Sequence, residues 1–484
     1  MRPILQFLTE KLIEKVIAEA IDILCDPGVT IHNRELLSLL SDHGAEVDRE
    51  SHRAKLPASL VEQAIQTAPS SFKLYDVLGE QTHDFGGDTV SFTPGSTALS
   101  ILDYPSQRMR TPNTKDYIDF TKVVSQLPHI AAQSTAMISG DVPTEVSDSY
   151  RLFLNLMWCE KPVVTGAFTI ESFDVMNDFQ VAIRGSAEAL REKPLTVFSC
   201  CPTSPLSWCT IASQNLIDCA RHGIPTELVS MPLSGFLSPV TLVGTLIQHA
   251  AETLSGVVIS QLVRPGAPLL YGGSPAIFDI RHETTPMGAI ETMMLDCGIN
   301  EIGKRLGLPT QAYIALSDAK QMDAQAGFET GMGAVMAALS GINSISGPGM
   351  IDFESCLSLE KLVLDNELCG MALRLAEGIE PREDFPARPM MEELLREGHL
   401  LIADHTQRHW QSEIRFPGPI VDRAGRDRWR QDGETTLFER AHCQVNDLLE
   451  TYSPSRLPTD IRKEIVQRME HEARRYGLDR LPAQ

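Results

Sequence analysis

Residues 195–230, LTVFSCCPTSPLSWCTIASQNLIDCARHGIPTELVS, contain the unit that decides the fold. Two short apolar runs, Leu195–Ser199 and Thr226–Ser230, flank a segment with helical periodicity, Cys209–His222. An apolar run on each side of a helix is typical of two parallel strands joined by a crossover helix. The stretch therefore predicts a β-α-β unit.

The same alternation extends over most of the chain. The predicted strands are Val90–Thr93, Ile130–Ile138, Val163–Phe168, Leu195–Ser199, Thr226–Ser230, Leu269–Tyr271, Gln311–Ala315 and Ile342–Ile345. The predicted helices are Thr114–Gln126, Val146–Trp158, Glu171–Arg184, Cys209–His222, Val240–Val263, Gly288–Leu306, Ala324–Leu339 and Ser358–Glu377. These strands lack strict polar alternation, as expected when both faces are buried. The pattern predicts an α/β protein with a (β/α)8 TIM barrel. An open doubly wound sheet is the alternative, but no GxGxxG opens a helix after an early strand.

The pattern divides the chain into three regions. Residues 1–88 predict an N-terminal helical layer, with Thr9 as the N-cap of a first helix that ends before Asp26-Pro27-Gly28. Residues 89–377 form the predicted barrel. After residue 378 the composition shifts to Glu, Arg, Pro and His, so residues 378–484 predict a C-terminal helical extension.

The charge and the cysteines exclude several classes of function. The 484 residues include 42 Lys and Arg against 64 Asp and Glu, a formal net charge of −22. Such a field repels phosphate backbones and anionic lipid, so nucleic acid and membrane surfaces are not expected partners. The ten cysteines show no CxxC spacing, and the N-terminus lacks the pattern of a signal peptide. No apolar stretch of about 20 residues occurs, and we expect a cytoplasmic protein.

The loops after the predicted strands are the expected site of chemistry. They are rich in Gly, Pro, Ser and aromatic residues, and Asp141 and Asp318 are the charged residues close to a strand end. Such loops are poorly equipped for proton shuttling. The rings of Phe168, Tyr271 and Tyr313 are candidates to enclose a cation; the alternative is that they fill the barrel.

The sequence predicts no intrinsic metal site. There is no HxH or HExxH, and a surface or structural role is favoured for His405 and His409. At the Cys200-Cys201 doublet we expect buried thiols rather than metal ligands. Adjacent side chains point in opposite directions on an extended chain, so the two thiols do not converge on one ion. The turns Gly272-Gly273 and Gly347-Pro348-Gly349 suit close packing or the approach of a planar ligand better than phosphate, because neither turn contains Lys or Arg.

Three segments carry a resemblance to a known family. They are SDAKQMDAQAGFE at residues 317–329, AALSGIN at 337–343 and LVLDNE at 362–367. Together they resemble the trimethylamine methyltransferase family of corrinoid-dependent enzymes. The resemblance implies a (β/α)8 barrel that moves a methyl group from a methylated amine to the cobalt of a separate corrinoid protein. The corrinoid (cobalamin) would then be supplied by that partner.

One departure from the family bears on the substrate. The founding trimethylamine enzymes carry pyrrolysine, whereas every one of the 484 positions here is a standard residue. The chain therefore resembles the branch without pyrrolysine, whose members demethylate quaternary amines such as glycine betaine. A quaternary nitrogen leaves as a neutral tertiary amine, so the reaction needs no general acid.

The resemblance also suggests roles for particular residues. Phe168, Tyr271 and Tyr313 would flank the ammonium group. Asp318 would add a carboxylate or cap the next helix, and Gln325 and Glu329 share one helical face that either reaches the cavity or packs the helix. A substrate carboxylate would bind Arg281 or His282, or the backbone N–H groups of Gly347 and Gly349. Close approach of the corrin ring is expected at Gly272, Gly273, Gly347 and Gly349.

Two other functions remain open at this point. One is a different barrel enzyme, such as a lyase or hydrolase, and the other is a non-catalytic betaine-binding protein. The helical extensions at both ends also favour a homo-oligomer.

Overall fold

The computed structural model describes residues 2–482 as an α/β fold in which parallel strands alternate with helices. The N-terminal region contains α1 (Glu10–Cys25), β1 (Val29–Ile31), α2 (Arg34–Asp42), β2 (Glu46–Asp48), β3 (Arg53–Lys55), α3 (Ala58–Thr67), β4 (Phe72–Tyr75) and β5 (Gln81–Phe85). Thr9 caps α1 by accepting a hydrogen bond from the Leu12 N–H, as predicted. The prediction of a helical layer missed these strands, because most of them are polar and partly exposed, as in EVD of β2 and QTHDF of β5, and form no apolar run.

The parallel strands lie where the sequence predicts them. The later strands are β6 (Ser91–Thr93), β7 (Ser100–Asp103), β8 (Arg108–Arg110), β9 (Gln133–Ser134), β10 (Val163–Thr165), β11 (Thr196–Cys200), β12 (Ser207–Trp208), β13 (Thr226–Ser230), β14 (Leu233–Ser234), β15 (Leu269–Gly273), β16 (Ala276–Ile277), β17 (Gln311–Tyr313), β18 (Ser344–Ser346), β19 (Met350–Ile351) and β20 (Cys356–Leu357). Each of the eight predicted runs contains a strand: β6, β9, β10, β11, β13, β15, β17 and β18.

The helices between the strands also follow the predicted pattern. They are α4 (Thr114–Ser125), a 3-10 turn (Thr144–Val146), α5 (Ser147–Trp158), α6 (Glu171–Arg184), α7 (Ala187–Glu192), α8 (Thr210–His222), α9 (Leu242–Val263), α10 (Ile290–Arg305), α11 (Ala324–Ser340) and α12 (Leu359–Glu377). By length and composition α9 is apolar enough to cross a membrane, but 72% of its most apolar window is buried inside the protein. It packs against α1, α3 and α8, which is the position of a core helix.

The eight strands form two parallel sheets. One has the order β15-β13-β11-β10-β9 and the other β17-β18-β6. The sheets approach each other at both edges: Tyr271 and Thr310 form a parallel bridge, and the Ala131 N–H donates to the Phe92 carbonyl oxygen at 2.8 Å. Single contacts, rather than continuous ladders, therefore link the two sheets.

A hairpin of β4 and β5 packs against the amino ends of the strands. Its Leu74 and Phe85 form one buried apolar cluster with Val164, Val197 and Leu270. Val164 and Leu270 belong to β10 and β15, which are not neighbours in the sheet, so the sheet curves strongly around the hairpin. The amino end of the strand array is filled with apolar side chains, and polar groups are left to the other end.

The C-terminal extension consists of α13 (Arg388–Glu397), α14 (Asp404–Glu413), α15 (Arg426–Gln431), α16 (Leu437–Glu450) and α17 (Thr459–Arg475). Of these, α16 packs on α12 and α4, and α17 packs on α5 and α6. A capping box of Thr436 and Glu439 begins α16.

Replacing Phe85 by Ala tests the contribution of the hairpin. Phe85 is 3% exposed, so we expect the variant to lose about 3–5 kcal/mol of unfolding free energy through lost burial and a residual cavity. Urea unfolding followed by circular dichroism measures the loss. Leu99→Ala is the matched control because Leu99 is 64% exposed. Equal stability of the two variants would contradict the role of the hairpin.

Candidate active site

A cavity of about 460 Å³ lies at the carboxyl ends of the strands. We call it the strand-end cavity. Its walls come from the loops after β6, β10, β11 and β13, from α5 and α8, and from the end of β17. The residues that line it include Ser96, Thr97, Arg151, Thr165, Phe168, Ser199, Cys201, Asn215, Val229, Tyr313 and Glu354. The cavity therefore lies at the end of the strands where the sequence predicts the site.

Glu354 and Tyr313 line the floor of the cavity, and the carboxyl group of Glu227 lies directly beneath it. Glu227, the second residue of β13, accepts a hydrogen bond from the Ser199 hydroxyl at 2.6 Å and lies 3.5 Å from the Tyr313 hydroxyl. The Tyr313 hydroxyl is 3.1 Å from the Ser96 hydroxyl, and the Ser96 N–H donates to Glu354 at 3.2 Å. Glu227 Oε2 has no partner within the described residues. The floor therefore retains unused hydrogen-bonding capacity.

Burial keeps these carboxyl groups close to neutral. It raises the pKa of Glu227 to about 7, although the hydrogen bonds from Ser199 and Tyr313 act in the opposite direction. Burial also raises the pKa of Glu354 to about 8, and the neighbouring Glu227 adds to the increase. A positively charged ligand would favour ionisation of both groups. The floor is electrostatically suited to a cation.

A buried arginine also lines the cavity. Arg151, on α5, donates from Nη2 to Asp148 at 2.8 Å and from Nη1 to the Thr135 carbonyl oxygen at 3.1 Å. Its guanidinium carbon lies 5.2 Å from the centroid of the Phe168 ring. Within residues 2–482, Nη2 donates to Asp148 alone, although each guanidinium nitrogen of this type carries two N–H groups. One N–H is available to a ligand.

Two of the predicted aromatic residues line the cavity. Phe168 is 54% exposed at its edge, and Tyr313 lies at its floor. The third, Tyr271, is wrongly predicted. Its ring is fully buried on the outer side of β15, close to Gly303 of α10 and 5.6 Å from the ring of His249. Successive residues of β15 face opposite sides of the sheet. Gly272 faces Gln311 on the inner side, so the neighbouring Tyr271 points to the outer side.

The predicted catalytic trio lies together but does not line the cavity. Asp318 accepts from the backbone N–H groups of Met287 and Gly288 at 2.9 and 3.0 Å. Glu329 accepts from the Asp318 N–H at 2.8 Å and from the Gln325 side chain at 2.9 Å. Asp318 is also not a helix cap, because Asp323 caps α11. These contacts join the loop before α10 to the loop before α11, which gives the three residues a structural role.

The predicted carboxylate donors lie outside the cavity. Arg281 is 79% exposed in its side chain, and its guanidinium binds Asp279 in the same turn. His282 follows it on the exposed surface. The Arg281 guanidinium is already paired with Asp279, and His282 is on the exposed surface. The prediction that Arg281 or His282 binds a substrate carboxylate in the cavity is therefore wrong. Arg151 is the arginine that lines the cavity.

The predicted corrin contacts at four glycines are also wrong, because protein atoms fill the space beside each one. A Cβ on Gly272 would lie 2.4 Å from Gln311 Oε1, and one on Gly273 would lie 2.2 Å from His249 Nε2. A Cβ on Gly347 would lie 2.2 Å from the Ile314 carbonyl oxygen, and Gly349 has a φ of +88°. The glycines permit close packing of the strands and their turns.

No group of three or more His, Cys, Asp or Glu is arranged for a metal ion among residues 2–482. The His405 and His409 rings lie 4.8 Å apart beside Asp384 and Glu383, in the C-terminal extension. Cys200 is buried and Cys201 is exposed, consistent with opposite orientations along the strand.

Replacing Glu227 by Gln tests the state of the buried carboxyl. Its folded pKa of about 7 exceeds its ordinary value of 4.5, so stability is lost as the pH rises from 4.5 to 7 and is constant above. Gln keeps the acceptor oxygen and cannot ionise. We expect the variant to gain on the order of 3 kcal/mol over the wild type at pH 8 and much less at pH 5.

Urea unfolding at both pH values measures this difference. The exposed Glu19→Gln is the control and should change stability by less than about 0.5 kcal/mol. A pH-independent difference between Glu227→Gln and the wild type would show that the carboxyl is ionised throughout.

Comparison with known proteins identifies relatives over the full length of the chain. The sequence profile of the family described as trimethylamine methyltransferase (MTTB) matches residues 1–476. Trimethylamine methyltransferase MttB of Desulfitobacterium hafniense is 30% identical over 460 residues, which cover 95% of this chain and 92% of the relative. Glycine betaine methyltransferase of D. hafniense strain Y51 is 27% identical over 461 residues, or 95% of each chain.

Among solved structures, the monomethylamine methyltransferase MtmB of Methanosarcina barkeri superposes with a TM-score of 0.52. The superposition covers 96% of this chain and 88% of MtmB at 11% sequence identity, a likeness of fold alone. The family match extends over almost every residue, and the relatives are similar over nearly their whole length. The chain therefore belongs to the trimethylamine methyltransferase family.

Proposed function

We propose that the protein transfers a methyl group from a quaternary amine carrying a carboxylate, such as glycine betaine, to the Co(I) of a corrinoid partner protein. The observation that carries the proposal is the strand-end cavity itself. It combines an acidic floor, with Glu227, Glu354 and Tyr313, and a wall that contains Arg151. A zwitterion with a cationic and an anionic end matches this polarity.

We further infer that the strands close into a (β/α)8 barrel within residues 89–377, between extensions at residues 1–88 and 378–484. The contacts at both edges of the two sheets support closure, as does the apolar cluster that joins β10 and β15 around the hairpin. In such a barrel, the side chains that point inward at the carboxyl ends converge on one cavity.

The cationic end of the substrate would lie on the floor. A quaternary nitrogen has no N–H to donate, so it is recognised by charge and by ring faces. Glu227 and Glu354 supply the charge once the cation favours their ionisation, and Tyr313 and Phe168 supply rings. These residues bind and orient the ammonium group and exclude water from it.

The carboxylate end would lie against Arg151. The free Nη2 N–H of this residue is a charge-assisted donor, and the hydroxyl of Thr165, which also lines the cavity, has no partner within the described chain. A buried polar atom without a partner is costly unless a ligand satisfies it. The pairing fixes one end of the substrate and directs the other toward the floor.

The residues of the cavity suit a leaving group that needs no proton. The N–CH3 bond breaks, its electron pair remains on nitrogen, and a neutral tertiary amine is released. The corrinoid, when its carrier protein is bound, supplies the electron pair that accepts the methyl group. The glycine betaine methyltransferase relative and the absence of any non-standard residue in the sequence support a quaternary amine.

The surface around the cavity suits a protein partner. Its exposed large apolar side chains follow the strands and form what we call the rim: Leu99, Ile211, Met231, Phe236, Ile280 and Phe328. Ile211 and Met231 also line the cavity, and exposed apolar side chains beside a cavity suit an interaction site. The corrinoid protein would cover the rim, because its cobalt must reach the substrate methyl group.

A substrate panel tests the proposed reaction. The purified protein is incubated with reduced cobalamin and with glycine betaine, carnitine, choline or trimethylamine, and the demethylated amines are quantified by mass spectrometry. We expect turnover of at least one carboxylate-bearing quaternary amine and none of trimethylamine. Turnover of trimethylamine would overturn the assignment. Binding without methyl transfer would indicate a betaine-binding protein, and chemistry without any corrinoid would indicate another barrel enzyme.

Replacing Arg151 by Lys tests the carboxylate contact. Lys keeps a positive charge that can pair with Asp148. It lacks the planar guanidinium that presents a second N–H donor to the cavity. We expect kcat/KM to fall about 10- to 100-fold for a carboxylate-bearing substrate, equivalent to about 1.4–2.8 kcal/mol, and to change less than threefold for choline. Arg281→Lys is the matched control. Equal losses on both substrates would show that Arg151 only supports the fold.

A further inference from the structure

Glu354 reaches the strand-end cavity from a turn with an unfavourable backbone conformation. The turn joins β19 to β20, and its residues Asp352, Phe353 and Glu354 have φ values of 52°, 56° and 69°. Left-handed backbone is sterically unfavourable for any residue with a Cβ, and most of all for a bulky one such as phenylalanine. Such conformations persist only where the surrounding structure holds them, and they cluster at functional sites. The turn therefore needs support from outside itself.

The first residues of the SDAKQMDAQAGFE motif supply part of this support. The Ser317 N–H donates to the Met350 carbonyl oxygen at 3.2 Å, and the Asp352 N–H donates to the Ala319 carbonyl oxygen at 2.9 Å. Two backbone hydrogen bonds thus join the motif to the strand and turn that lead to Glu354.

Lys320 of the same motif covers the turn. Its Nζ lies 3.7 Å from the centroid of the Phe353 ring and 3.7 Å from Asp352 Oδ1. The same ammonium group donates to the Asp318 carbonyl oxygen at 2.7 Å. A cation above a ring face and beside a carboxylate is attracted to both groups. Lys320 therefore binds the first two left-handed residues of the turn, and Glu354 is the third.

The other end of the turn is held by the segment after β6. The Leu99 N–H donates to the Ser355 carbonyl oxygen at 3.0 Å, and the Ser96 N–H donates to the Glu354 carboxyl group at 3.2 Å. These contacts hold the end of the turn and the carboxyl group, whereas Lys320 holds the beginning. The orientation of Glu354 depends on both sides.

We propose that Lys320 is a positioning residue that holds the carboxyl group of Glu354 in the strand-end cavity. Within the described chain Lys320 does not line the cavity itself, so it acts through the turn. A carboxyl group that is already in place binds a cation without the cost of being ordered first. The effect on substrate binding rests on the proposed function, whereas the effect on the turn does not.

Hydrogen–deuterium exchange tests the effect on the turn without any ligand. Lys320→Met removes the ammonium group but keeps an aliphatic side chain, and this position is 54% exposed, so the variant leaves no cavity in the core. We expect exchange in residues 351–357 to become at least tenfold faster, with no change in β13 or β17. Lys320→Arg should restore the protection, because a guanidinium also stacks on a ring face.

Lys115→Met is the matched control for this measurement. The Lys115 side chain is 79% exposed and pairs with Asp119, so its loss removes a comparable surface charge far from the turn in the chain. Exchange in residues 351–357 should be the same as in the wild type. Equal exchange there in Lys320→Met and Lys115→Met would overturn the proposal.

A double-mutant cycle tests the effect on the substrate. A contact made equally to substrate and transition state changes KM alone, so Lys320→Met should raise KM for glycine betaine about tenfold and change kcat less than threefold. Glu354→Gln should raise KM at least as much, and Lys320→Met should add nothing in the Glu354→Gln background, because both changes act on one carboxyl group. Lys320→Arg should keep KM within threefold of the wild type.

Additive effects of Lys320→Met and Glu354→Gln on KM would overturn the proposal, because a residue that only supports the fold acts independently of Glu354. Failure of the proposed function has a different signature: the wild type itself would not demethylate glycine betaine. The exchange measurement then decides the role of Lys320 alone, since it needs neither substrate nor corrinoid.

Discussion

The two-sided burial of the parallel strands constrains every other part of the molecule. Helices cover their outer faces, and the Leu74–Phe85 hairpin fills the space at their amino ends. Polar side chains can then meet water or a ligand only where the strands end. Glu227 is buried within this arrangement, where Ser199 and Tyr313 reach it from neighbouring positions just below the cavity. The location of the chemistry follows from that constraint.

The periodicity of the sequence was sufficient for the main fold. Eight apolar runs and the helices between them are visible because each is long enough to show a pattern, and their order gives the parallel sheets. Strands such as β2 and β3 escape detection, since their sequences EVD and RAK are polar and form no apolar run. Their partners are set by tertiary contact, as in the pairing of β1 with β12, which are about 180 residues apart in the chain.

The site was harder to predict than the fold. Tyr313 and Tyr271 both stand on strands at similar positions, yet they differ in the face of the strand that they occupy, and the apolar runs give no indication of that face. Glu227 did carry a signal, as an isolated carboxylate within the apolar run Thr226–Ser230. Arg151 and Glu354 carried none, because they reach the cavity from a helix and from an irregular loop. Local ion pairs, such as that of Arg281 with Asp279, are equally invisible before the chain is folded.

The raised pKa values of Glu227 and Glu354 have a consequence for ligand exchange. A cation that enters the cavity stabilises the ionised carboxyl groups, so protons leave as the ligand arrives. Binding then exchanges protons of the carboxyl groups for the positive charge of the ligand. The net charge inside the cavity stays near zero before and after binding. In the proposed reaction the nitrogen gives up its permanent charge, and the product amine can then share a proton with the same carboxyl groups. A floor of this kind favours a ligand whose positive charge cannot be lost to a base.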